Sequence, residues 1–170
     1  CRLKGVYHVI GQLLYGSGLR LMECMRLRIK DIDFNNRTLT IRNTKSHRDR
    51  VTVLPNAIIE PLKLHIAKVK AQHKQDLANG FGSVEMPGLL AKKYPKAQYE
   101  WGWQYVFPAG DLSRDPRSGI IRRHHLFETS VQKNVKRAAR EAGISKPVSP
   151  HALRHSFATH LYQQGVDIIK

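Results

Sequence analysis

The sequence predicts an α+β domain, mostly helical, with one small three-stranded antiparallel sheet. Three observations carry this reading. Apolar residues recur at helical spacing through most of the chain. The period shifts to two in three short runs between residues 29 and 55. Gly, Pro and Asn breaks separate the segments.

The elements follow in order. "VYHVIGQLLYGSG" (6–18) predicts a helix with Val6, Val9, Leu13 and Leu14 on its stripe, ended by Gly16 or Gly18. "LRLMECMRL" (19–27) predicts a short second helix. "IKDIDF" (29–34) and "TLTIR" (38–42) read as strands joined across Asn35-Asn36, and "VTVLP" (51–55) as a third strand after the link "NTKSHRDR". A long helix follows over 57–78, with Asn56 as its cap and Leu62, Ile66, Val69, His73 and Leu77 facing inward. Residues 80–104 carry no sustained period. A further helix spans 130–142, with Val131, Val135 and Ala138 inside, Lys133, Arg137 and Arg140 outside, and Gly143 as its stop. Ser149 caps and Pro150 opens the last helix, "HALRHSFATHL", which Gly165 closes.

Composition narrows the class of partner. The 170 residues hold 29 Lys and Arg against 13 Asp and Glu, a formal net charge of +16. The cations are interspersed with folded-looking segments, which favours a folded nucleic-acid surface first and an acidic membrane surface second. No apolar run approaches a membrane span, roughly 18 residues or more. Two cysteines, Cys1 and Cys24, make no disulfide framework, so a reducing cytoplasm is the expectation.

The last helix raises a chemical question. His151, Arg154 and His155 fall within about a quarter-turn, beside the apolar stripe Leu153, Phe157 and Leu161. That basic face has three readings. It is a structural His with a surface Arg; or His151 and His155, spaced i and i+4, share a zinc ion with a third ligand; or Arg154 offers its planar fork to a phosphate while a His moves a proton. Two other stretches bear on the third. Arg20 follows a Gly-Ser-Gly break at the start of a short helix, where backbone N–H groups favour an anion, and Glu23, three residues on, either orients it or simply pairs with it on the surface. Lys45 sits in the link between the second and third strands.

"SGLRLMECMRLRIKDIDF", "TKSHRDRVTVLP" and "HALRHSFATHL" together resemble the tyrosine recombinases. In order they match that family's first Arg box, its β-hairpin Lys turn and its His-x-x-Arg-His box. The stretches "KYPKAQYEWGWQYVFPA" and "LSRDPRSG…RHHL" look like the integron integrase branch. The resemblance implies that Arg20 and Arg154 grip the scissile phosphate, that His151 handles a proton there, that Lys45 protonates the leaving 5′ oxygen, and that His155 supports the motif. It implies no cofactor and no divalent metal. Partners would be double-stranded and folded single-stranded recombination sites, and other copies of the protein, four in a synapse, in the nucleoid of a bacterial cytoplasm. Arg48, Arg122, Arg123 and Lys133 are expected as further phosphate contacts.

The resemblance also implies a nucleophilic Tyr beyond a further His or Trp box. Neither motif occurs in these residues, and Tyr162 lies too soon after Arg154 to serve. The expectation is a partial catalytic domain over 1–170, lacking the DNA-clamping domain and the nucleophile segment, and forming no covalent DNA adduct alone. The alternatives are a phage-type integrase or resolvase of the same superfamily, or a non-catalytic DNA-binding relative. Residues 80–107 are expected as a branch-specific insertion. Trp101, Trp103, Tyr105 and Phe107 alternate like one face of a strand, whereas Met86, Pro87, Leu89, Leu90, Tyr94 and Pro95 are expected to add apolar surface on a helix-containing protrusion.

Overall fold

The computed structural model describes residues 2–42 and 49–165. Helix α1 (Gly5–Gly16) is the central element: Val9, Ile10, Leu13 and Leu14 are buried, and it packs on four other helices, the short α2 (Leu21–Met25), the long α3 (Asn56–Ala78), α5 (Glu128–Glu141) and α6 (Pro150–Gln163). The main core adds Leu39, Ile41, Leu54, Ile58, Leu62, Phe107, Val131 and Val135. Burial of such side chains contributes roughly 1.5–3 kcal/mol each, so this cluster drives the fold.

The sheet has the order β1-β2-β3, from Ile32–Asp33, Thr38–Ile41 and Arg50–Val53, all antiparallel. Its register pairs Ile32 with Leu39, Leu39 with Thr52, and Ile41 with Arg50. The first strand begins later than its sequence period suggests, because Ile29–Asp31 closes a 3₁₀ turn. The turn after β1 is held by Asp33, whose carboxylate accepts from the Asn36 backbone N–H at 2.8 Å and its side-chain amide at 2.7 Å.

Two expectations about helix ends are corrected. Asn56 is already helical, and Pro55 is the cap residue of α3. The Asn56 side chain accepts from Arg37 Nη1 at 3.1 Å. Ser149 stands at the cap position of α6 in extended conformation, but its hydroxyl makes no capping bond. On α3, Leu77 is exposed and the neighbouring Asp76 is buried. Asp76 takes that place because Arg123 neutralises it through two bonds, at 2.7 and 2.9 Å.

Residues 80–107 do not form the expected alternating strand. They fold as the short helix α4 (Leu90–Lys93) and two 3₁₀ turns, Ala97–Tyr99 and Trp101–Trp103. Val84, Met86, Ala97 and Tyr105 make a second, smaller apolar cluster, joined by Leu90 and Trp103. Met86 is therefore inside, a correction to its placement on the surface. Arg28 ties this cluster to the main body. It donates to the carbonyls of Trp103 and Glu85 at 2.7 and 2.8 Å, and its guanidinium lies 4.0 Å from the Tyr105 ring centre. Pro87, Leu89, Tyr94 and Pro95 remain exposed. A small hairpin, β4 (Ser113–Arg114) with β5 (Ile121–Arg122), turns through Asp115–Gly119.

Candidate DNA-phosphate site

Gly18 decides how closely the last helix approaches the first arginine. Its φ is +61°, and a Cβ there would lie 2.6 Å from Phe157 Cδ1. Only glycine satisfies both conditions without strain. Because Phe157 of α6 seats against this break, Arg154, one turn earlier on α6, comes beside Arg20 at the start of α2.

Glu23 organises the cluster. Its Oε1 accepts from Arg20 Nη1 at 2.7 Å. Its Oε2 accepts from the Arg20 backbone N–H at 2.8 Å and from Arg50 Nη2 at 2.7 Å. Arg154 Nη1 lies 3.7 Å from the same Oε2, beyond hydrogen-bond distance. The anion expected at the start of α2 is thus the protein's own carboxylate. Burial favours the neutral form of Glu23, yet the bonds from Arg20 and the charge of Arg50 outweigh it and hold the carboxyl below its ordinary range.

Three guanidinium groups around one carboxylate leave the cluster with a net positive charge. Arg154 Nη1 is buried and makes no hydrogen bond among the described residues. A buried unsatisfied donor costs about 1–3 kcal/mol, more when charged, so this group is poised for an incoming acceptor. Burial, then the neighbouring charge of Arg20, lowers the Arg154 pKa from the ordinary arginine value. A dianionic or monoanionic oxygen ligand relieves both effects.

Arg20, His151 and Arg154 line one open groove of about 1320 Å³. The His151 and His155 rings meet edge to face, their centres 4.3 Å apart. Among the described residues no group of three or more His, Cys, Asp or Glu is arranged to hold a metal ion. The zinc alternative therefore finds no third ligand there. Lys45 and Arg48 lie outside the described residues.

The other expected phosphate contacts are placed differently. Arg122 is buried and 3.7 Å from Asp115, and Arg123 is committed to Asp76 and to the carbonyls of Ala109 and Gly110. Both guanidinium groups serve internal ion pairs. Lys133 is exposed on α5, but the α5 cation lining the groove is Lys136. Sequence reasoning missed Arg50, whose position in the link gave no sign of a partner outside the hairpin. It also missed Arg28 and Arg42, which line the groove while bonded within the protein, Arg42 Nε to Asp31 at 2.6 Å.

A helical body with a small three-stranded antiparallel sheet is the fold of a tyrosine recombinase catalytic domain. The chain belongs to the phage integrase family, whose model matches it over residues 3–170. It is 43% identical over 166 residues to an integrase/recombinase of Escherichia coli, covering 98% of this chain and 49% of that protein. It is 30% identical over 156 residues to tyrosine recombinase XerA of Pyrococcus furiosus, covering 92% of this chain and 41% of that one. The chain thus spans about half the length, or less, of these curated relatives. The crystal structure of XerA recombinase superposes with a TM-score of 0.60 at 22% identity, over 95% of this chain and 45% of that one. XerH site-specific recombinase bound to its difH substrate, in a pre-cleavage complex, superposes with a TM-score of 0.59 at 24% identity, over 95% and 37%. At these identities the likeness is one of fold. No helix among the described residues is long and apolar enough to cross a membrane.

Proposed function

We propose that this chain is part of the catalytic domain of a tyrosine site-specific recombinase of the integron integrase branch. The full-length protein cleaves and rejoins DNA through a 3′-phosphotyrosine, in the bacterial cytoplasm, with four copies on paired sites. The observation that carries the reading is the convergence of Arg20 and Arg154, from opposite ends of the chain, on Glu23 beside His151 in one groove.

The chemistry follows from charge. In phosphoryl transfer the negative charge spreads over the equatorial oxygens, so two fixed guanidinium groups favour the transition state over the ground state. Arg20 and Arg154 fill that role, with Glu23 fixing Arg20. His151 passes a proton near the attacked phosphate. Lys45 protonates the 5′ alkoxide as it leaves; such acid catalysis contributes ~10²–10⁴-fold. The attacking oxygen is a Tyr outside these 170 residues. No metal is required where fixed arginines and a lysine supply the positive charge.

The branch assignment rests on residues 80–107, where Val84, Met86, Ala97 and Tyr105 form a second cluster and Pro87, Leu89, Tyr94 and Pro95 are exposed. That surface suits bases turned out of a folded single-stranded site, since rings stack on bases at roughly 1–3 kcal/mol each.

A nicked trap substrate, whose cleavage is irreversible, tests the reading. The full-length protein gives a covalent adduct on a denaturing gel without divalent metal. Arg20→Ala and Arg154→Ala each lower its rate by about 10²–10³-fold, the scale for loss of one fixed transition-state donor. The 170-residue chain gives none. No adduct from the full-length protein, or an adduct from the short chain, overturns the assignment.

A further inference from the structure

We infer that Arg50 is a positioning residue that keeps Arg154 available to the phosphate by occupying the carboxylate oxygen Arg154 would otherwise bind. The inference rests on the reading of Arg154 as a phosphate ligand. It assigns Arg50 a task that neither its place in the hairpin nor its charge alone requires.

A carboxylate oxygen offers about two in-plane acceptor positions. On Glu23 Oε2 both are used, by the Arg20 backbone N–H at 2.8 Å and by Arg50 Nη2 at 2.7 Å. Arg154 Nη1 stands 3.7 Å away, buried and without a hydrogen bond among the described residues. It is close enough to feel the carboxylate and too late to bind it. Without Arg50, one acceptor position on Oε2 opens less than about 1 Å from bonding distance to Arg154, given an N–H···O optimum near 2.9 Å. A charge-assisted Glu23–Arg154 bond then forms, and the phosphate has to compete with it. Arg50 is anchored for this task. It opens β3, and its register partner is Ile41 of β2, so its backbone is fixed by the ladder. Its side chain reaches across to α2, which makes the sheet a brace for the arginine cluster.

The proposal differs from a direct phosphate contact by Arg50 and from a purely structural ion pair. In the first case, removing Glu23's charge does nothing for an Arg50→Ala protein. In the second, the defect follows stability. Under the proposal, Glu23→Gln relieves part of the Arg50→Ala defect, because a neutral amide oxygen holds Arg154 less strongly than a carboxylate does, although it also loosens Arg20.

Two measurements decide it. The first needs no activity: nitrogen NMR of the arginine side chains in the 170-residue chain. In Arg50→Ala, rotation about the Arg154 Cζ–Nη bonds slows and its Nη–H signals move as for a new carboxylate bond. In Arg50→Ala/Glu23→Gln they return toward wild type. Unchanged Arg154 signals in Arg50→Ala overturn the inference. The second is trap-substrate cleavage by the full-length protein at saturating DNA. Arg50→Ala falls by about tenfold or more, at the low end for a lost transition-state contact. Arg50→Lys, which keeps a cation on Oε2, recovers at least a third of the wild-type rate, and the double variant recovers part of it. Melting curves of each variant accompany the rates. Loss in Arg50→Ala that neither Arg50→Lys nor Glu23→Gln relieves overturns the inference. A wild-type protein that does not cleave at all defeats the functional reading instead, and the NMR result still judges Arg50.

Discussion

Gly18 and Phe157 meet so closely that no side chain fits at position 18: a Cβ there would lie 2.6 Å from Phe157 Cδ1. The same contact sets the distance between the two arginine boxes. Gly18→Ala therefore strains a backbone at φ +61° and pushes α6 outward. The two costs together destabilise the protein by about 2 kcal/mol or more, from a positive φ and an overpacked contact. The melting temperature falls, and cleavage by the full-length protein falls further than stability alone requires. In the Phe157→Ala background Gly18→Ala costs less than it does in wild type, since the clash is gone and only the backbone strain remains. A Gly18→Ala protein as stable as wild type would show that α6 is not seated here.

Part of the site is legible in the amino-acid sequence. Arg20, His151 and Arg154 are readable because their motifs are short and their helical phase is simple. Glu23 is readable as a partner of Arg20 from its i, i+3 spacing. Its bond to Arg50 is not, because it joins α2 to the start of β3 and no local period encodes it. The same limit explains Arg122 and Arg123. They read as free cations next to one another, yet Asp115 and Asp76 are waiting for them in the tertiary structure. In residues 80–107 the alternation of Trp101, Trp103, Tyr105 and Phe107 mimics a strand. Tyr105 and Phe107 are buried as it suggests, but a 3₁₀ turn carries the two tryptophans. The hairpin at 113–122 escapes the sequence period although "DPRSG" is a turn sequence, because each of its strands is only two residues long.

Asp76 and Arg123 form a largely buried pair, with side chains 7% and 12% exposed. Removing one partner strands the other charge. Asp76→Ala or Arg123→Ala therefore costs about 3 kcal/mol, whereas removing both together costs less than the sum. Denaturant titration of the two single variants and the double variant measures this. Additive losses would mean that the pair contributes no mutual stabilisation.

Acid destabilises the protein in two steps. His65 is half-buried and His73 buried, and each donates to a carbonyl, Val106 and Tyr99, at 2.8 and 3.1 Å. Burial lowers both pKa values below the ordinary 6.5, against the opposing pull of those bonds. The unfolded chain then binds protons more readily. The stability these residues lend is complete above pH 6.5 and is lost as pH falls through their folded values. Glu23 and Asp76, also held low, repeat the effect below their ordinary values of 4.5 and 3.8. The melting temperature is expected to be level from about pH 7 to 8 and to decline from pH 6.5 downward. His65→Gln, which keeps a donor for Val106, shrinks the first step. A melting temperature that rises between pH 7 and 5.5 contradicts this assignment.

Lys136 and Lys133 lie one turn apart on α5, and of the two only Lys136 lines the groove. If DNA follows the groove, Lys136→Gln lowers the slope of log affinity against log salt by about 0.9, one phosphate contact. Lys133→Gln changes it far less. Equal effects of the two variants would place the DNA elsewhere on this basic surface.

Packing and recognition fall on different side chains within residues 80–107. Met86 is buried in the second cluster, while Leu89 and Tyr94 are 78% and 50% exposed. Met86→Ala opens a cavity and costs about 2 kcal/mol or more. Leu89→Ala with Tyr94→Ala removes no core contact, so the melting curve moves by less than about 0.5 kcal/mol for each surface change. The proposed role makes the opposite ordering for function. In the full-length protein, the double surface variant loses most recombination of a folded single-stranded site, because the Tyr94 ring and the Leu89 side chain that would hold an extruded base are gone. Cleavage of an ordinary duplex site stays within a few-fold. Deleting residues 83–98 outright removes both the cluster and the exposed face, so its effect on the two substrates is read only beside its melting curve. The surface variant avoids that ambiguity. If it recombines the folded site as well as wild type does, these side chains bind no base, and the segment's purpose is the cluster that Arg28 fastens to the main body.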